Sequence, residues 1–137
     1  MTRFKRFLLY IHQLPQHIIG YGCFLFFDAR KRIRLARCVD TDALVYCYYV
    51  KGIDAGFSLG KYTFLPESDA MNHTTRNERH EYGHSRQSMR LGWLYLIVIA
   101  IPSVCGNIYD RIFKKSSEWY YNLPWEKWAD RLGGVRR

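Results

Sequence analysis

The chain has no C-x-x-C pair; its four cysteines, Cys23, Cys38, Cys47 and Cys105, are spread along the sequence. That excludes a sulfur-ligated zinc site, offers no disulfide framework, and fits isolated reduced thiols. No internal repeat or low-complexity linker interrupts the 137 residues, so a single fold with a core of adequate size is expected. Acidic residues are scarce: 12 Asp and Glu against 21 Lys and Arg leave a formal charge of +9. This excess calls for an anionic partner, and charge alone admits membrane lipid or nucleic acid. No nucleic-acid recognition motif accompanies the basic residues, so anionic lipid is the expected partner and nucleic acid is not. Disorder is excluded as well, because 48% of the residues are hydrophobic and 17% aromatic.

A clean N-terminal membrane span is also missing. Residues 7–27 are mostly apolar, but His12, Gln13, Gln16 and His17 interrupt them and Pro15 is expected to kink a helix there. Basic residues flank the stretch: Arg3, Lys5 and Arg6 before it, and five Lys or Arg from Arg30 to Arg37 after it. The pattern predicts a kinked anchor in the membrane interface, its arginines on anionic headgroups; a buried core helix is the alternative. No small-x-small cleavage site follows, which argues against a signal peptide. If the segment crosses, the heavier basic flank places the bulk of the chain in the cytoplasm. Residues 91–105 (LGWLYLIVIAIPSVC) are the most hydrophobic run, short for a span and expected to end at Pro102. A core helix and a second element dipping into lipid both fit it. Residues 107–117 read as a polar and basic surface connection.

Between these segments, residues 43–51 (ALVYCYYVK) are dense in β-branched and aromatic side chains and predict a buried strand. A turn at residues 52–56 leads to a second predicted strand, residues 57–65, antiparallel to the first and with a bulge or close backbone approach at Gly60. Thr75 and Glu78 have capping-box spacing, so a helix is expected to start there, continue to about Leu91 and stop at Gly92. It has almost no large apolar residues between Arg76 and Arg90 beyond Tyr82 and Met89. Polar bonds must therefore hold it if it is central, and Gly83 would let another backbone or a substrate come close. A last helix opens near Pro124 and closes at Gly133 and Gly134. Its stripe is Trp125, Trp128, Ala129 and Leu132, with Glu126 and Asp130 along the edge.

The chemistry gathers in the first of these two helices. His80 and His84 are four residues apart, so both imidazoles can point at one metal ion, with Glu81 beside them to take a proton from water. Catalytic zinc commonly has three protein ligands and one open position, and Glu126 is the candidate third. Two acids so near an apolar stripe need compensation, which a zinc ion for Glu126 and an imidazole N–H for Asp130 would supply. A di-iron carboxylate site is excluded, because only Glu81 to His84 provides Glu-x-x-His.

H-E-x-G-H (residues 80–84) followed by E-x-x-A-D (residues 126–130) resembles the gluzincin zinc metallopeptidases, in particular the membrane peptidases that include the CaaX-prenyl proteases. The resemblance implies zinc on His80, His84 and Glu126, with Glu81 as general base and Asp130 orienting a ligand histidine. It also implies a minimal zincin-like α+β fold. In that fold a short antiparallel sheet packs on the metal-binding helix and the C-terminal helix, after an N-terminal membrane-associated helix. Residues 1–37 would be the anchor and 38–137 the catalytic domain. In zincins an edge strand above the metal-binding helix pairs with an extended peptide substrate, and Phe57, Ser58, Leu59, Gly60 and Lys61 lie where that strand would be. Tyr120 and Tyr121 are candidate oxyanion donors. The chain is far shorter than the CaaX-prenyl proteases, so their substrates do not carry over. It is also similar to small uncharacterised bacterial proteins with H-E-x-G-H-x-x-Q-S and a W-A-x-x-L-G-G-V ending. The expected protein is a membrane-associated zinc metallopeptidase with a cytoplasmic catalytic face. Its alternative is a non-catalytic, zinc-stabilised membrane adaptor.

Overall fold

A computed structural model describes residues 2–27, 33–37, 44–71 and 75–137. Arg30, Lys31, Arg32 and Cys38 fall outside the described residues, as does the side chain of Thr75 on which the predicted capping box depends. Within them the architecture is α+β. The strands are β1 (Ile33–Arg37), β2 (Leu44–Val50), β3 (Phe57–Leu59) and β4 (Tyr62–Pro66), in spatial order β1-β2-β4-β3.

Side-chain alternation explains why both faces of this sheet are covered. One face is aromatic: Tyr48 and Phe64, with Val50, receive Cys23 and Phe24 from helix α2 (Leu14–Phe26) and Phe27 that caps it. The other face carries Val45, Thr63 and Ser58 and meets helix α4 (Thr75–Leu91) through Met89, Ser85 and Glu81.

The sheet is mixed, which corrects the antiparallel expectation. Antiparallel pairing joins β1 to β2 and β3 to β4, whereas β2 and β4 run parallel, with Tyr48 opposite Phe64. Residues 57–65 are not one strand. Gly60, at φ 62°, lies in the left-handed region that L-residues avoid, so the segment folds into a hairpin there and no bulge forms. The second arm of the hairpin therefore reaches β2, and the first is left at the edge. Residues 33–37, expected in the anchor's basic flank, pair with β2 as a strand of the same sheet.

Helix α1 (Arg3–His12) and α2 meet at Gln13, two residues before the expected kink, and Pro15 sits in the first turn of α2, where no backbone N–H is required. Three of the four polar interruptions point inward, and His12 is exposed. Gln13, Gln16 and His17 are buried, while Phe4, Phe7, Ile18 and Phe26 are exposed. Gln13 accepts from the Ser88 hydroxyl and Gln16 donates to the Gly92 carbonyl, which tethers both helices to the end of α4.

The run after Gly92 does not stop at Pro102. A π-helical turn (Leu96–Ala100) leads directly into α5 (Ile101–Phe113). The wider turn falls where proline's missing donor and ring would otherwise break the ladder. Residues 107–113 are thus helix, and the connection begins at Lys114, whose φ of 49° closes it. Leu96–Phe113 is long and apolar enough to cross a membrane: 18 residues, mean hydropathy 1.5, only 6% buried. Short helix α3 (Glu67–Met71) precedes α4, and α6 (Ser117–Tyr121) precedes α7 (Pro124–Gly133).

Helices α4 and α7 pack antiparallel, setting His80 beside Asp130 and His84 beside Glu126. A Cβ on Gly83 would meet the Ala129 carbonyl oxygen at 1.9 Å, so the two backbones touch there. The buried face of α7 is Glu126, Ala129 and Asp130, with Trp125 and Trp128 half-buried at its margins. The acids occupy the centre of the contact, where the periodicity had put the tryptophans. Gly83→Ala should accordingly force the helices apart, destabilising the fold by ~1–3 kcal/mol in chemical denaturation. A variant with the midpoint of the parent chain would mean that this contact is not tight.

Candidate metal centre

Helix α4 buries polar residues at the middle of the protein: His80, Glu81, His84, Ser85, Gln87 and Ser88. Hydroxyls and amides hold it in place of apolar contacts. Ser58 on β3 lies 2.8 Å from the Glu81 carbonyl and 3.0 Å from Glu81 Oε2. Thr63 lies 3.1 Å from Ser58 and 3.3 Å from Ser85, extending the chain of hydroxyls under the helix. Tyr95 donates to the Ser58 carbonyl at 3.0 Å and fixes the edge strand.

His80, Glu81 and His84 each bring a ligand atom within 4.8 Å of the others. The side chain of Glu126, fully buried, joins them from α7. His80 Nε2, His84 Nε2 and Glu126 Oε2 form a triangle with all three edges 3.1 Å. Ligands at about 2.0–2.1 Å from a tetrahedral zinc ion stand roughly 3.3 Å apart, so the triangle fits such an ion.

The outer nitrogens explain why the inner ones can act as ligands. His80 Nδ1 lies 2.7 Å from Asp130 Oδ1, and Arg137 donates to Asp130 Oδ2 at 2.8 Å. Gln87 uses its amide N–H on the Trp125 carbonyl, leaving Oε1 to accept from His84 Nδ1 at 2.7 Å. Both rings therefore carry a proton on Nδ1 and turn Nε2 towards a shared carboxylate oxygen, where a proton or a metal ion can sit. A carboxylate buried there needs a positive partner, which a protonated His80 or a metal ion held by these side chains could supply.

The proton equilibria reflect the same demand. Burial works against a charged His80, but hydrogen bonds to Asp130 and Glu126 outweigh it and lift the imidazole to about 9. Burial would raise Glu126; contacts with His80 and His84 overcome this and hold it well below the ordinary carboxylate range. Asp130 is likewise lowered, its burial outweighed by His80 and Arg137. Glu81 goes the other way, since burial raises its carboxyl against the opposing pull of His84, His80 and Ser58.

A cavity of about 390 Å³ opens over Glu81 and His84, between Ile53 and Phe57 on one side and Val104 and Ile108 on the other. Tyr120 lines it; Tyr121 instead presents its ring to His80 at 5.1 Å, under the Arg137 guanidinium. Phe57, Ser58 and Leu59 form an edge strand beside the cavity, whereas Gly60 and Lys61 belong to the turn. Lys61 is directed elsewhere, its ammonium 5.2–5.9 Å from the rings of Tyr10, Tyr46 and Tyr62.

Sequence reasoning assigned no role to Gln87, although it lies three residues after His84 and thus on the same helical face. It singled out Ser58 only as a strand residue. Ser103, which donates to Glu126 Oε1, had no local signal inside an apolar run. Compared with known proteins, the chain matches no family model, no curated protein and no solved structure.

A proton on His80 and a metal ion would compete for the same Nε2. Below about pH 9 the ion must displace that proton, so zinc affinity should rise roughly tenfold per pH unit and level off above it. Titrations in buffers of different ionisation enthalpy would count the released proton, and an affinity that ignores pH around neutrality would contradict this assignment.

Proposed function

We propose that the chain is a membrane-associated zinc metallopeptidase, with His80, His84 and Glu126 as metal ligands and Glu81 as general base. The observation that carries this reading is the 3.1 Å triangle of two imidazole nitrogens and a carboxylate oxygen, with Glu81 at the floor of the adjoining cavity. A zinc ion held there would supply Lewis acidity and bring the pKa of a water molecule towards neutrality. Glu81 takes a proton from the attacking water and passes it to the leaving amine. Its buried setting raises its proton affinity, which suits that exchange near neutral pH. Tyr120, at the cavity wall, is the better placed of the two tyrosines to donate to the developing oxyanion.

The cavity suits an extended peptide with an apolar side chain, laid beside β3 and against Val104 and Ile108. Val104 and Ile108 are also more than half exposed on the apolar helix, so the cleft opens towards the same side as the outward-facing hydrophobic residues. The apolar surface and the +9 charge support placement on an anionic bilayer, and the catalytic face would lie in the cytoplasm if the N-terminal segment crosses, by the positive-inside rule. A non-catalytic zinc-stabilised adaptor would be favoured by a blocked cleft over Glu81. The open cavity there supports hydrolysis instead.

In a peptide-library assay, Glu81→Gln should lower turnover by roughly 10²–10⁴-fold while zinc remains bound. Glu126→Ala should weaken zinc retention in metal analysis. Unchanged turnover in the first variant would falsify the base assignment, and full zinc content in the second would remove Glu126 from the ligand set.

A further inference from the structure

Glu126 has two carboxylate oxygens with different tasks. Oε2 completes the triangle with His80 and His84, and Oε1 accepts the hydroxyl hydrogen bond of Ser103. Ser103 stands on α5, within the mostly apolar and little-buried stretch Leu96–Phe113. The inward stripe of this stretch pairs one large apolar residue with a small polar one and a glycine. Ile99 is buried, Ser103 reaches Glu126, and Gly106 lies against Tyr120 and Leu123. Arg111 adds an ion pair to Asp54 at 2.7 Å across the mouth of the cavity.

A carboxylate with one oxygen free can rotate and bind an ion through both oxygens. With Oε1 engaged by a hydroxyl, only Oε2 faces the histidines, so the carboxylate binds through one oxygen and a further position stays open for water or substrate. We propose that Ser103 is a positioning residue that holds Glu126 as a one-oxygen ligand. In this way the helix bearing the exposed apolar surface completes the metal centre from its inner face. This rests on the reading of His80, His84 and Glu126 as a zinc site and adds a fourth residue, from a different element, that tunes it.

The test uses the full chain in bilayer nanodiscs, loaded with zinc for chelator competition and with cobalt(II) for visible spectroscopy. Ser103→Ala should lower zinc affinity by about 10–100-fold. It should also weaken the cobalt ligand-field bands, as four-coordinate cobalt gains the second carboxylate oxygen. Ser103→Thr, which keeps the hydroxyl, should restore both readouts, and Ile101→Ala, on the exposed face of the same helix, should change neither. Loss in the alanine variant with recovery in the threonine variant supports the proposal. Loss in both, or in neither, overturns it. Absence of metal binding by the parent chain would instead remove the zinc site itself, and the positioning role with it.

Discussion

Two antiparallel helices that touch backbone to backbone set the terms for the rest of this molecule. The contact of Gly83 with the Ala129 carbonyl brings α7 close enough for a short glutamate side chain to reach two imidazoles one turn apart. Bulkier residues at that crossing would move the carboxylate out of ligand range, since helix separations follow the side chains at the contact. A buried carboxylate among lone pairs is costly unless something positive sits between them. The same closeness therefore creates the demand for a positive partner, a protonated imidazole or a metal ion, and gathers side chains that could hold such an ion.

The polar groups of the site also explain how a helix with so few apolar residues can lie at the centre of the protein. Ser58, Thr63 and Ser85 link the sheet to α4, while Gln87 and Asp130 keep a proton on the outer nitrogen of each imidazole. These contacts are directional, so they orient the rings as well as holding the helix. Water-excluded surroundings strengthen each of them. The exterior is the counterpart of this polar centre. Apolar side chains of α1, α2 and the stretch 96–113 face outward, and Gln13, Gln16 and His17 face in. Such an arrangement suits lipid on the outside, which is the setting proposed for the chain.

Much of the local structure was legible from residue order. Spacing placed His80, Glu81 and His84 on one helix, the β-branched run marked β2, and Pro124 with Gly133 bracketed α7. The hairpin at Gly60 and the parallel pairing of β2 with β4 were not legible. Residues 57–65 have the composition of one strand, and only the positive φ at Gly60 divides them. Pro102 misled for a similar reason. Its usual effect on a helix was absorbed by the π-helical turn before it, a feature without a residue pattern of its own.

What the residue order determined alone is the set of chemical groups and their local periodicity: two imidazoles a turn apart with an acid between them, and a second pair of acids a turn apart near the end. These follow from 3.6 residues per turn and need no partner. Only the tertiary structure decided that Glu126 meets both imidazoles, that Gln87 and Asp130 keep a proton on the outer nitrogen of each, and that Ser103 reaches over from an apolar helix. Each of those contacts joins separate elements or depends on how one element faces another. They come from packing distance and side-chain direction, which no local spacing encodes.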